Sequence, residues 1–183
     1  MNEIASKGQL ALSYLRWALV TVPAIVLLGM LSGYIANSGY QNRWFAALVK
    51  PEFMPQGWVF GAAWTVLYIL LGLSIAVIIH ARGARLRGLA IVLFLVQFAA
   101  NLAWSPLFFR AHLITEAFYL IVAMIVLTTV MVALFARIRT VAALLLVPYL
   151  GWLIFASVLT YSVDKLNPGA SFPLAAPVLQ TQI

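Results

Sequence analysis

Of the 183 residues, 65% are hydrophobic and only 8% are charged, too few charges to coat a water-soluble domain of this size, so composition points to a membrane. The formal charge is +7, but the basic residues sit in short clusters beside apolar runs, which argues against a nucleic-acid partner. Cysteine is absent, which excludes disulfides, a thiol nucleophile and Cys-based metal sites.

The first apolar run, 17–35, is long enough to cross the hydrocarbon core, which takes about 20 residues. No small-residue cleavage site follows Arg16, so a cleaved signal peptide is not expected. Pro23 lies inside the run, and Gly29 and Gly33 form a Gly-xxx-Gly pair. Such a pair admits another helix closely, either within the bundle or across a dimer seam. Residues 37–57 form a connection long enough to be functional, with a short amphipathic piece from Trp44 to Val49 that can fold back as a lid.

Four more spans follow, at 58–80, 88–109, 116–136 and 141–163, separated by the basic turns Arg82–Arg87 and Arg137–Arg139 and the short loop at Arg110. In the fourth span the only polar interior groups are Thr128 and Thr129, whose hydroxyls are expected to bond back to their own helix. Residues 164–183 carry Pro168, Pro173 and Pro177 without periodicity and read as a mobile C-terminal tail. The fold class is therefore an all-α membrane protein, a bundle of five transmembrane helices. Lys7, Arg16, Arg82, Arg85, Arg87, Arg137 and Arg139 share one side, while Arg43, Lys50, Arg110 and Lys165 share the other. That bias puts the N-terminus in the cytoplasm and the lid and C-terminus outside, in what is expected to be a bacterial cell membrane.

Polar and aromatic groups are patterned. Gln97, Asn101, Trp104 and Phe108 fall on one helical face of the third span. An amide in hydrocarbon needs a partner, so the stripe implies either interhelical hydrogen bonds or a cavity wall. Phe60, Trp64 and Tyr68 form a stripe on the second span, and Tyr149, Trp152 and Ala156 share a face on the fifth. Trp58 suits the interfacial aromatic belt, but Trp64 and Trp152 lie too deep for it. Aromatic walls with a few placed amides suit a flat, largely apolar ligand. There is no acid deep in a span, no Ser–His–acid set and no metal-ligand spacing.

Together these residues resemble the translocator protein family, also called the tryptophan-rich sensory protein (TspO) or peripheral benzodiazepine receptor family. The matching stretches are Trp44-Phe45-x-x-Leu48-x-Lys50-Pro51, Pro55-x-x-Trp58-x-Phe60-x-x-x-Trp64-x-x-Leu67-Tyr68, Gln97-x-x-x-Asn101-x-x-Trp104-Ser105-x-x-Phe108-Phe109 and Pro148-Tyr149-x-x-Trp152-x-x-Phe155-Ala156. The resemblance implies a five-helix bundle, commonly a homodimer. It also implies a pocket under the first loop that binds porphyrins (protoporphyrin IX or haem), and in many members sterols or isoquinoline and benzodiazepine ligands, with no cofactor required. It assigns Trp44 and Pro51 to the lid and Trp64, Tyr68, Asn101, Trp104, Trp152 and the small Ala156 to the pocket. Gln97, Phe108 and Tyr149 join this ligand-binding set through their shared faces. Some bacterial members degrade bound porphyrin in light, which makes Trp64 and Trp152 the catalytic candidates. Leu159, Tyr161 and Lys165 satisfy a loose cholesterol-recognition pattern. This chain departs from the family in the lid, where Phe53 and Gln56 replace Trp and Pro, and at the end of the fifth span, where Thr160 and Asp164 replace Asn and Trp.

Overall fold

The computed structural model describes residues 7–170, with side chains from Leu12 onward. Helix α1 (Lys7–Ile35) begins ten residues before the apolar run, because nothing in Lys7–Arg16 breaks a helix and no proline intervenes before Pro23. A single short turn, α2 (Arg43–Ala47), lies in the connection, and α3 (Gly57–His80) follows. Next come α4 (Arg87–Ser105), running into a π-helical turn at Pro106–Arg110, then α5 (Ile114–Ala136) and α6 (Thr140–Leu166). Among the described residues, five helices are long and apolar enough to cross a membrane. α6 continues three residues beyond the expected span, so 164–166 are helical. Residues 167–170 form a turn closed by the Ala170 N–H on the Asn167 carbonyl, and 171–183 of the expected tail lie outside the described residues.

The five long helices close into a ring in the order α1, α3, α6, α5, α4. Small residues set the tightest crossing. A Cβ on Gly72 would lie 2.6 Å from the Val22 Cα, so only glycine lets α1 approach α3 here. The Thr21 hydroxyl uses that approach to donate across the seam to the Gly72 carbonyl at 2.8 Å. Ser74 donates likewise to the Ala142 carbonyl of α6 at 2.7 Å.

Pro106 explains how α4 ends. Its ring removes an N–H from the helix and leaves the Leu102 carbonyl without its usual partner. Ser32 of α1 fills the gap, donating to that carbonyl at 2.6 Å. The widened turn that follows brings both Phe108 and Phe109 to the inside, each at most 9% exposed. In α5, Thr129 bonds back to the Ile125 carbonyl as expected. Thr128 does not, and its buried hydroxyl has no partner among the described residues.

Candidate functional site

A cavity of about 490 Å³ occupies the lid end of the bundle, inside the range of small-molecule sites. Its aromatic wall comes from α3 and α6: Trp64 and Trp152 meet edge to face at 6.3 Å, Phe60 packs on Trp152 at 5.9 Å, and Trp64 lies over Tyr68 at 5.2 Å. Across the space, α4 supplies Asn101 and the stacked pair Trp104–Phe108, whose centroids are 5.1 Å apart. The Trp104 indole N–H is anchored behind the wall on the Ala117 carbonyl at 3.2 Å. α1 contributes Gly29, Met30, Gly33 and Tyr34, and α6 adds Ala156, Leu159 and Thr160.

The floor is a hydrogen-bonded chain. Tyr68 donates to Asn101 Oδ1 at 3.1 Å, and Asn101 Nδ2 donates to the Tyr149 hydroxyl at 2.9 Å. Gln97 Nε2 donates to the same hydroxyl at 2.6 Å. The amide stripe of α4 thus serves both purposes. Asn101 faces the cavity while bonding α3 to α6, whereas Gln97 and Tyr149 are wholly buried beneath the cavity and do not line it. Gln97 Oε1 has no donor among the described residues.

The roof is the 37–57 segment. Asn42 holds it in place from both ends of its amide: Oδ1 accepts the Phe45 N–H at 3.0 Å and caps α2, while Nδ2 donates to the Phe109 carbonyl at 3.1 Å. Phe45 plugs inward against Phe108 and Phe109. The Lys50 ammonium sits 4.9 Å over the Phe45 ring and 5.7 Å over Tyr40, and donates to the Ala46 and Leu48 carbonyls. Partial desolvation there lowers its pKa from the usual lysine value. Tyr40 donates to the Pro55 carbonyl at 2.9 Å. Trp44 does not line the cavity. It stacks on His112 at 4.3 Å and donates to the Ala170 carbonyl at 3.3 Å, so it pins the roof from outside. Pro51 is also outside, starting the turn closed by Met54 N–H.

A further residue that fastens the roof to the bundle carried no motif. Asn167 accepts the Val49 N–H and donates to the Val49 carbonyl, both at 2.8 Å, and donates to the Val163 carbonyl at 2.7 Å. Replacing it with alanine removes both lid bonds. Each is worth about 1 kcal/mol net, so exchange of the Val49 amide should accelerate by roughly tenfold or more. Unchanged exchange would show that the lid is held elsewhere.

Of the sterol-pattern residues, Leu159 faces the cavity, while Tyr161 is half exposed on the outer face with Lys165 stacked over its ring at 5.3 Å. The three do not converge. Cavity residues without a sequence signal include Ile121 and Met124 of α5, which are apolar side chains in an apolar helix.

The geometry defines a class: a multi-pass membrane bundle with an intrabundle, aromatic-walled, lidded cavity of small-molecule size. A family model described as TspO/MBR matches residues 19–166, and the chain belongs to that family. It is 35% identical over 126 residues to "Tryptophan-rich protein TspO" of Chlorobaculum tepidum, covering 68% of this chain and 80% of that one. It is 34% identical to "Protein CrtK" of Rhodobacter capsulatus, covering 70% and 81% of the two chains. It is also 32% identical to the human "Translocator protein", covering 78% and 85%.

Proposed function

We propose that this protein is a membrane receptor or translocator whose cavity holds a tetrapyrrole of the porphyrin class, such as protoporphyrin IX or haem. The observation that carries the reading is the facing pair of aromatic walls, Trp64–Trp152 against Trp104–Phe108, with the hydrogen-bonded Tyr68–Asn101 pair at the floor. A flat apolar macrocycle with polar edge groups is complementary to that distribution. Sterols and isoquinoline or benzodiazepine ligands are further candidates for the same space. The separation of Leu159 from Tyr161 and Lys165 favours the cavity over the sterol pattern as their site. Titration with protoporphyrin IX should give saturable quenching of tryptophan emission, and its absence would overturn the reading.

A second reading rests on the contact between Trp64 and Trp152 inside the cavity. A light-excited porphyrin can take an electron from an adjacent indole and pass it to dioxygen as superoxide. If the indole radical cation then recovers an electron from the porphyrin and superoxide adds to the resulting macrocycle radical cation, porphyrin plus dioxygen gives an oxygenated product, the tryptophans are regenerated, and the protein would be an enzyme that degrades porphyrin. Illuminating the aerobic complex should then replace the porphyrin bands with a product, and Trp64→Phe or Trp152→Phe should abolish that product. Equal turnover in both variants would leave binding as the function.

We also infer a homodimer in a bacterial cell membrane, with the N-terminus cytoplasmic and the lid outside. The absence of cysteine makes orientation simple to test, since a single cysteine can be placed anywhere without background. Ser38→Cys in intact cells should react with an impermeant maleimide and Arg85→Cys should not. The opposite labelling pattern would invert the topology.

A further inference from the structure

The internal cavity has a neighbour. A groove on the bilayer-facing side of the α3–α6 seam has small residues Ala62, Ala63 and Gly151 as its floor, with Trp58 and Phe155 among its walls. Apart from the indole N–H groups of Trp58 and Trp152 its lining is apolar, and it is continuous with the outer surface of membrane-spanning helices, including exposed Val66, Val147 and Ile154. Trp152 belongs to both spaces: it lines the groove and the cavity, so one indole divides them. It is held there by apolar packing, with Phe60 at 5.9 Å, Trp64 at 6.3 Å and Phe155 at 5.4 Å, and none of the hydrogen bonds of the described residues uses its N–H. The aqueous mouth, by contrast, is fastened by the Asn42–Phe109 and Asn167–Val49 bonds.

The geometry points to a lateral portal. The groove seats a hydrocarbon chain of a membrane lipid against the outer face of Trp152, and displacement of that indole joins the bilayer to the cavity, so apolar ligands enter sideways through the α3–α6 seam. A hydrocarbon chain fits because the lining is almost wholly apolar and the groove opens on the outer, lipid-facing side of the seam, where Trp58 and Val66 are exposed. This route does not depend on which ligand the cavity takes.

The test uses the full chain in phosphatidylcholine vesicles whose acyl chains are brominated, a short-range quencher of indole emission. The Trp152 contribution is obtained by difference from Trp152→Phe. It should be quenched, and Gly151→Leu should abolish that quench, because a side chain there meets nothing within 4 Å and fills the groove. Removing the leaf with Trp152→Ala should extend quenching to Trp64, which lines only the cavity, with Trp64→Phe in the same background as the reference. Gly151→Leu added to Trp152→Ala should withdraw it again. A Trp152 signal indifferent to brominated lipid, as expected if a second copy of the chain covers the groove, overturns the proposal. So does a Trp64 signal that stays unquenched in a folded Trp152→Ala. If Trp152→Ala does not fold, Gly151→Leu decides alone, and an unchanged Trp152 quench overturns it.

Discussion

Replacing Gly29 with valine is expected to collapse the cavity and weaken protoporphyrin binding by tenfold or more. A Cβ at this position would fall on the ring of Tyr68, which packs directly on the glycine. The ring cannot retreat without cost, because Trp64 lies 5.2 Å on one side and Phe98 6.5 Å on another. Overpacking of this kind costs about 1–3 kcal/mol. Displacing Tyr68 also breaks its bond to Asn101, worth about 0.6–2 kcal/mol between helices in a membrane. Each 1.4 kcal/mol lost from the binding-competent arrangement is about tenfold in affinity. Gly88→Ala is the control. Its new Cβ meets nothing within 4 Å and the residue lies outside the cavity lining, so binding should match the parent protein. If Gly29→Val binds protoporphyrin as the parent does, Tyr68 is not a fixed wall of the site.

The same glycine illustrates what could be read beforehand. A Gly-xxx-Gly pair announces close approach, but the pattern does not say what approaches. Here it is an aromatic side chain of the same chain at Gly29 and a loop serine at Gly33. The spans were legible because hydrocarbon forces every backbone group into a helix and every long apolar run into view. The wall residues Trp64, Tyr68, Asn101, Trp104 and Trp152 were legible because polar or aromatic groups in such helices need a reason, and Ala156 only through the family resemblance. Ile121 and Met124 were not, since an apolar cavity lining in an apolar helix looks like any lipid-facing residue. Thr160, noted as a departure from the family, lies in the cavity wall at 4% exposure. A shorter side chain there changes the shape of the site.

The lid was the least legible part. Trp44 is next to Phe45 in the strongest lid motif, yet only Phe45 points inward. The choice was made by His112, whose backbone takes a positive φ of 59° and puts the imidazole under the indole. Nothing local to Trp44 encodes that. Asn167 escaped notice for a related reason. Its bonds reach back 118 residues to Val49, and it stands among proline and glycine in a stretch read as tail.

Tyr149→Phe should be the most destabilising loss of a single atom in the bundle. The hydroxyl accepts from both Gln97 and Asn101, and all three side chains are at most 4% exposed. Removing it strands two buried amide donors at once, at about 1–3 kcal/mol each. The lower end applies here, because a chain unfolded within the membrane also finds partners. Gln97 suffers most, since its Oε1 already lacks a donor among the described residues, and the whole amide would then sit unpaired. Tyr68→Phe removes a donor instead, leaving only Asn101 Oδ1 open beside the cavity, where water or ligand can reach it. It should therefore be the milder change. The decisive measurement is a double-mutant cycle in thermal or denaturant unfolding. Gln97→Met added to Tyr149→Phe removes the stranded amide along with its lost acceptor, so it should restore a substantial part of the stability. If the pair is instead additive and the double variant is the weakest of the set, the Gln97–Tyr149 bond is not what holds α4 to α6 beneath the cavity.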